Sequence, residues 1–314
     1  MKKFIIKRIL SVIPVLFIVS VVIFSLVHLV PGDPAAAMLG DLATEQDVEA
    51  LRIRMGLDKP LIQQYLVWIG NLFHGDFGMS VANNETVASM IASHVKPTIS
   101  FALYSLLIAA VIAIPLGMVA ARRKGSALDH AVTVLSLTGI SLPSFLLGLF
   151  LMLIFAVRLR WFPVSGYKDL SEGLIPHLRS LTLPAIALGF MNAALMMRMT
   201  RASMLEVLNS DYIKMAKAKG VKDFSLVAKH AFKNTMVTVI TVFGQSIVQA
   251  LSGAAVVESL FAIPGLGQLM VNSIGRRDYY VIQAIVLLIA VFNVLINMLI
   301  DLLYGLVDPR VRIS

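Results

Sequence analysis

The stretch YIKMAKAKGVKDFSLVAKHAFKN, from Tyr212 to Asn234, is a basic island that lies between two long apolar runs. The chain of 314 residues is 58% hydrophobic and only 14% charged, and its mean hydropathy is +0.85. A soluble domain cannot cover that much apolar surface, so the composition indicates a protein with several membrane spans. A basic segment between two such spans lies outside the bilayer, where it can contact another molecule.

Six apolar segments are each long enough to cross a hydrocarbon core, which requires about 20 helical residues. Several are longer than that, so we expect tilt or a kinked end in some of them. Pro14, Pro115 and Pro143 lie inside spans, and membrane helices tolerate proline where neighbouring groups satisfy the freed carbonyls. The pattern predicts an all-α integral membrane protein of six transmembrane helices. The spans cover approximately residues 9–30, 98–121, 130–157, 181–199, 235–261 and 281–303.

The distribution of lysine and arginine predicts that both termini are cytosolic. In that orientation 17 of the 27 basic residues lie in short cytosolic segments, and the other ten are spread over the external loops. This bias follows the positive-inside rule, which also accounts for the net charge of +9 without a nucleic-acid partner. The first apolar run is longer than the about 7–15 residues of a cleaved signal, so we expect it to remain as a membrane anchor.

The longest external segment lies between Pro31 and Pro97. Thr44 and Asp47 predict the start of an acidic amphipathic helix there, because threonine caps a helix and an early acid suits the helix dipole. A second helix, rich in aromatic residues, is predicted for Pro60–Phe73. The segment has two interpretations: a pair of helices at the membrane interface, where Trp and Tyr are stable, or a docking surface for an extracytoplasmic partner.

The basic island has the pattern of a small protruding knob. Gly220 permits a sharp turn, and Asp223 is predicted to be the N-cap of a second short helix that ends at Lys233. Small side chains on one face would let the surface of another protein approach the backbone, and the flanking lysines would orient it. The alternative is a basic cytosolic loop that only follows the positive-inside rule. The small residues are Ala216, Ala218 and Gly220, and the lysines are Lys214, Lys217 and Lys219.

The island resembles the cytoplasmic EAA loop of ABC-importer permeases, in the form found in the dipeptide, oligopeptide, glutathione and nickel importer family. That form is roughly D-Y-x-x-x-A-x-A-K-G, followed further on by a histidine and by R-N. Two positions depart from it, since Lys233 replaces the usual arginine and Thr238 stands where a proline is common. The resemblance implies contact with ATPase subunits through Asp211, Tyr212, Ala216, Lys217, Ala218, Lys219, Gly220, His230 and Asn234.

Further blocks of the chain resemble the same family in the same order. They are LVPGDPA from Leu29, GLDKPLIQQY from Gly56, GDFGMS from Gly75, ESLFAIPGLGQL from Glu258 and DLLYGLVDPRVR from Asp301. The resemblance implies a type I ABC importer permease fold, with short cytoplasmic coupling helices. We divide the chain accordingly into a first transmembrane helix with an external helical segment, an importer transmembrane domain and a cytosolic tail. These parts are residues 1–97, residues 98–304 with the coupling loop at 201–235, and residues 305–314.

The same resemblance implies partners, a location and a function. The partners would be a second homologous permease, two ATPase subunits and an extracytoplasmic solute-binding protein, in the cytoplasmic (inner) membrane of a bacterium. The chain would form half of a translocation pathway for short peptides, with glutathione or a nickel chelate as alternative cargo. The contrasting class is a stand-alone secondary transporter, which would need buried ionisable residues at mid-span and internal repeats. Neither feature is clear in the sequence.

Motifs for catalysis and cofactor binding are missing from the sequence. No G-x-x-x-x-G-K-[ST] occurs, so we expect this chain to be no enzyme and to bind no cofactor, with ATP and Mg²⁺ used by the partner ATPases. No H-E-x-x-H or G-x-S-x-G occurs, which argues against a metalloprotease or a serine hydrolase. The chain has no cysteine and its six histidines are dispersed, so we predict no catalytic residue and no metal site.

Two acidic residues near the ends of spans are candidates for the transport pathway. A charged side chain at mid-bilayer costs about 2.5–3.5 kcal/mol on insertion scales, so acids within spans are functional candidates. Glu258 is the stronger candidate and Asp301 the weaker one. Both lie close to an interface, so the alternative is snorkelling or a local partner, such as Arg310 for Asp301.

Overall fold

The computed structural model describes residues 2–29, 32–40 and 43–307. Within these ranges the regular structure is helical, apart from an isolated antiparallel bridge between Met79 and Thr86. In chain order the α-helices are α1 (Lys2–Leu29), α2 (Pro34–Leu39), α3 (Glu45–Met55), α4 (Leu61–Phe73), α5 (Val87–Arg122), α6 (Ala127–Ser141), α7 (Ser144–Leu151), α8 (Leu174–Leu208), α9 (Asp211–Ala218), α10 (Asp223–Ser225), α11 (Phe232–Phe261), α12 (Leu266–Gly275) and α13 (Tyr279–Val307). Two π-helical segments, Met152–Arg158 and Leu226–Ala231, continue α7 and α10, and a 3₁₀ turn covers Leu170–Glu172.

The predicted membrane-spanning architecture is confirmed. Among the described residues, five helical segments are long and apolar enough to cross a membrane, and there are six if the bent pair of α6 with α7 and its π-helical continuation is counted as one span. Several helices extend beyond the predicted spans, because apolar composition marks the part of a helix inside hydrocarbon and not the residues where the helix begins or ends. The five segments are Leu10–Leu29, Val87–Arg122, Leu174–Leu208, Asp223–Phe261 and Tyr279–Ile300.

The third predicted span is broken at Pro143, so the expectation of one helix through residues 130–157 is wrong. The axes of α6 and α7 are bent by 105° at this point. Leu142 has an extended backbone, with φ −86° and ψ 120°, because the ring of a following proline clashes with the helical conformation. Pro14 and Pro115, by contrast, lie inside continuous helices as expected.

One compact unit of the chain comprises Met1–Lys96 and Pro264–Leu295. Its core is a buried apolar cluster from α5, α12 and α13, which includes Val87, Leu269 and Ile285. These helices bring together parts of the chain that are far apart in sequence. The unit therefore combines the N-terminal region with the start of the last span.

The two helices predicted for the external segment are confirmed. At the start of α3, Thr44 and Asp47 form a capping box by exchanging hydrogen bonds. Accepting hydrogen bonds from the Thr44 hydroxyl and backbone N–H lowers the pKa of the Asp47 carboxyl from its ordinary value. α4 begins directly after Pro60 and contacts α1, where the hydroxyls of Ser20 and Tyr65 lie 2.7 Å apart.

The other unit comprises Pro97–Ile263 and Ile296–Ser314, and α8 is its central helix. α8 packs against α6, α7 and α11. The backbones of α5 and α8 approach each other closely at a glycine. A Cβ added to Gly117 would lie 2.8 Å from the carbonyl oxygen of Met197, so only glycine permits this approach.

Candidate functional site

The basic island begins as a short helix, α9, which follows α8 after two residues. α9 is anchored by Ile213, which is only 3% exposed and packs in an apolar cluster with Ala121, Met204 and Leu226. The cluster draws on the end of α5, the end of α8 and the segment before α11. Apolar burial therefore fixes α9 against three helices, although most of its other side chains are exposed.

The turn predicted at Gly220 is confirmed. Gly220 has φ +81°, in the left-handed region that favours glycine. Its N–H donates to the carbonyl oxygen of Lys217 at 3.0 Å, and Val221 N–H donates to that of Ala216 at 3.2 Å. Apart from Gly220 itself and its two chain neighbours, no heavy atom of the described chain lies within 4 Å of a Cβ added at Gly220. The requirement for glycine is thus conformational and does not come from lack of space.

The prediction that Asp223 is the N-cap of a separate short helix is wrong. Lys222 holds the N-cap position, and Asp223 is the first residue of a helix that continues to Phe261 through a π-helical segment. The Asp223 carboxylate accepts a hydrogen bond from the guanidinium of Arg122 at 3.2 Å, which links it to the end of α5. The sequence between Ser225 and α11 contains no residue that would break a helix.

The small residues of the island do not share one face. Ala216 is half-buried in the apolar cluster below α9, whereas Ala218 is exposed. Two residues that are two positions apart lie on nearly opposite sides of an α-helix. The exposed surface therefore carries Ala218 and Gly220 but not Ala216.

A hydrogen-bonded cluster joins three residues of the island that are distant in sequence. The Tyr212 hydroxyl donates to the backbone carbonyl oxygen of His230 at 3.2 Å. The side-chain amide of Asn234 donates to the Tyr212 oxygen and lies 3.4 Å from the same carbonyl oxygen. In this cluster the contribution of His230 comes from its backbone. The cluster ties α9 to the start of α11.

The surface of the island is both cationic and apolar. Lys217 and Lys219 are exposed, and Lys214 pairs with Asp211 at 2.8 Å in a contact that solvent weakens. Met215 and Phe224 are 58% and 78% exposed. Sequence reasoning missed both, although an apolar residue inside a polar island was the available signal.

A buried ion pair near this region was also missed. Asp129 on α6 has a side chain that is 4% exposed, and Arg201 on α8 binds both of its oxygens, with Nη2 at 2.8 Å from Oδ2. The backbone N–H of Gly125 donates a further hydrogen bond to Oδ2 at 2.9 Å. The pair links α6 to α8 across 72 positions of sequence.

Of the two acidic pathway candidates, only Glu258 has a side chain that the structure describes. Glu258 is fully buried, and the Thr98 hydroxyl donates a 2.7 Å hydrogen bond to its carboxylate. The pathway role of Glu258 stays a prediction. The side chain of Asp301 and the whole of Arg310 lie outside the part of the chain that the structure describes.

Comparison with known proteins identifies the family. Residues 113–313 match the family described as "Binding-protein-dependent transport system inner membrane component", and residues 1–102 match its N-terminal counterpart. The chain belongs to this family. It is therefore a transport permease of a bacterial inner membrane, and the resemblance found in the sequence is confirmed.

Relatives of the permease align over nearly its whole length. The "Di/tripeptide transport system permease protein DppB" of Pseudomonas aeruginosa is 39% identical over 333 residues, which cover 99% of each chain. The "Probable peptide ABC transporter permease protein y4tP" of Sinorhizobium fredii is 40% identical over 309 residues, which cover 98% of this chain and 99% of the relative. The alignments thus cover almost the whole of this chain and of these relatives.

The fold of the permease also matches solved structures. A chain of the MetNI methionine ABC transporter in an inward-facing conformation superposes with a TM-score of 0.58 at 18% identity. The match covers 70% of this chain and 96% of that chain. At this identity the likeness concerns the fold alone, and it supports the type I importer permease fold.

Proposed function

We propose that this permease forms one half of the translocation pathway of a peptide importer and couples it to separate ATPase subunits. The peptide cargo is supported by relatives of nearly full length that are named as peptide permeases. The coupling role rests on one structural observation, the cluster of Tyr212, His230 and Asn234 that holds α9 at the surface. Glutathione or a nickel chelate is the alternative cargo for the same architecture.

The coupling surface comprises the exposed parts of α9 and of the turn that follows. Ala218 and Gly220 allow a close approach to the backbone, Lys217 and Lys219 supply charge, and Phe224 supplies an exposed apolar contact. An ATPase subunit that moves on ATP binding would displace α9. α9 is joined to α8 by two residues and to α11 by the hydrogen-bonded cluster of Tyr212, His230 and Asn234. The displacement would therefore move α8 and α11 together as a rigid body.

The remaining partners follow from the same proposal. A second homologous permease completes the pathway, two ATPase subunits bind and hydrolyse ATP with Mg²⁺, and an extracytoplasmic solute-binding protein delivers cargo. This chain binds no cofactor, is no enzyme and has both termini in the cytosol. Selectivity for cargo then resides largely in the binding protein, which is a separate chain.

Reconstitution in proteoliposomes tests this function. The purified permease alone should hydrolyse no ATP above background, and it should support ATP-dependent uptake of trialanine once its partner permease, ATPases and binding protein are added. Gly220→Val, which strains the turn of the coupling surface, should reduce that uptake. Uptake by the isolated chain under an ion gradient, without ATP, would instead identify a secondary transporter.

A further inference from the structure

A polar cavity of about 260 Å³ lies beside the start of α13, in the unit that contains the N-terminal region. Its walls come from the segment before α5, the first turns of α5, α12 and the residue that precedes α13. They include Glu85, His94, Asn272, Arg276 and Asp278. None of these residues belongs to the coupling surface.

Asp278 is the residue of this cavity whose hydrogen bonding is incomplete. It is 2% exposed, and the Ser80 hydroxyl donates a 2.5 Å hydrogen bond to its Oδ2. The other oxygen, Oδ1, is buried and accepts no hydrogen bond from any described part of the chain. Folding has removed this oxygen from water without replacing the lost donor, which is unfavourable for a carboxylate. Oδ1 therefore indicates a donor that the chain itself does not supply.

The lining offers a further acceptor at His94 and a second carboxylate at Glu85. His94 Nδ1 lies 2.6 Å from the backbone carbonyl oxygen one turn earlier, so in a neutral ring Nδ1 carries the proton and Nε2 is an acceptor. Arg276 is directed to a neighbour, since its Nη1 donates to the Asn83 side-chain oxygen at 2.9 Å. Its charge offsets only one of the two carboxylates, Glu85 and Asp278. The lining thus has an excess of negative charge.

We propose that this cavity binds a primary ammonium group, with Asp278 Oδ1 as the main acceptor. An ammonium has three donors and no acceptor, which suits this lining. A metal ion suits it less well, because no group of three His, Asp or Glu side chains able to hold a metal occurs among the described residues. The volume far exceeds the roughly 30 Å³ that one water occupies, so the group can bring part of a larger molecule with it.

The ammonium is the free amino terminus of a peptide, and this assignment rests on the proposed peptide cargo. A charge-assisted hydrogen bond to a buried carboxylate is stronger than one between neutral groups. The site would therefore distinguish a peptide with a free amino terminus from one whose terminus is acylated. This discrimination would belong to the permease and would add to that of the binding protein.

Calorimetric titration tests the site on the complete transporter complex without its binding protein. The two probes are trialanine and N-acetyl-trialanine. The unchanged complex should bind trialanine at least about tenfold more tightly than N-acetyl-trialanine, as expected for a hydrogen bond to a charged group. Asp278→Asn, which retains a side chain able to bond Ser80, should lose that preference, and Glu85→Gln should weaken it about threefold. Glu49→Gln, the same charge change on α3 outside the cavity, should keep it.

Equal affinity of the unchanged complex for the two peptides, or a preference that survives Asp278→Asn, would overturn the assignment. If Asp278→Asn fails to insert, Glu85→Gln decides, because Glu85 is exposed and its exchange leaves the core intact. Uptake in proteoliposomes separates this result from the cargo proposal. Import of trialanine with no effect of either exchange refutes the site alone, whereas import of only glutathione or a nickel chelate refutes peptide cargo.

Discussion

The side chain of Asn234, at the start of α11, donates a hydrogen bond to the phenolic oxygen of Tyr212 on α9. The Tyr212 hydroxyl in turn donates to the carbonyl oxygen of His230. α9 is thereby fastened to α11 at one side and continues from α8 at the other. Since α8 and α11 pack against each other in the centre of their unit, a force applied to α9 reaches the helices around which that unit is built.

Tyr212→Phe removes both hydrogen bonds and keeps the aromatic ring. The loss should be about 0.5–1 kcal/mol of local stability, because the group is partly exposed to water. Hydrogen-exchange mass spectrometry should show faster exchange in residues 211–220, with little change elsewhere. Asn234→Ala should have a similar effect. In the double variant, exchange in residues 211–220 should be only slightly faster than in either single variant. Fully additive effects would show that the two side chains act independently.

Gly220→Val should strain the turn after α9, because a β-branched residue rarely adopts φ near +81°. The cost should be about 1–3 kcal/mol, with normal insertion and weaker retention of the ATPase subunits during purification. Gly220→Asn is the matched test, since asparagine tolerates the left-handed region. It should retain the ATPase subunits better than Gly220→Val does. If both variants lose the ATPase subunits equally, the backbone conformation of Gly220 is not the cause of the loss. Gly70→Ala is the control for the effect of a substitution elsewhere, because an added Cβ at this position of α4 meets no neighbouring atom within 4 Å.

Breaking the ion pair of Asp129 and Arg201 should destabilise the permease. Asp129→Ala should lower the free energy of unfolding in detergent by about 2–3 kcal/mol, because Arg201, whose side chain is 26% exposed, loses the partner of its charge. Replacing both residues, as Asp129→Leu with Arg201→Met, should recover most of the loss. Lys168→Ala is the control, because its pair with Glu172 is exposed and should contribute less than about 1 kcal/mol. A double variant as unstable as Asp129→Ala would show that the pair is not the cause.

The topology can be tested directly because the chain has no cysteine. Single cysteines that replace Ala50 and Lys168 should react with a membrane-impermeant maleimide that reaches only the external face of the cytoplasmic membrane. Cysteines at Lys124 and Lys219 should react only after the membrane is permeabilised. The physical reason is the concentration of lysine and arginine in short segments on the cytosolic side. Labelling of position 219 from the outer face would reverse the orientation and remove the coupling surface from the ATPases.

Local patterns in the sequence predicted most of the helices and the turn at Gly220, because apolar length and left-handed glycine turns are decided by nearby residues. The break before Pro143 was missed because proline within an apolar run is compatible with both a continuous and a broken helix. The contacts of Tyr212 with Asn234 and of Asp129 with Arg201 depend on how helices pack. Spacing along the chain carries no direct information on such pairs.

The hydrogen bond from Thr98 to Glu258 predicts that this buried carboxylate supports packing between α5 and α11. Glu258→Ala should leave a cavity and remove the hydrogen bond that the Thr98 hydroxyl donates, which together cost about 2–5 kcal/mol of unfolding free energy. Glu258→Gln keeps the volume and an acceptor, so it should lower the unfolding free energy less than Glu258→Ala does. Thr98→Val should cost about 1 kcal/mol.

The measurements that separate a packing role from a pathway role are thermal unfolding in detergent and peptide uptake per folded molecule. Packing alone predicts reduced yield with near-normal uptake by the molecules that fold. A pathway role predicts the reverse for Glu258→Gln: stability close to that of the unchanged permease, with uptake reduced about tenfold or more, as expected when a charged hydrogen-bond partner of the cargo is lost.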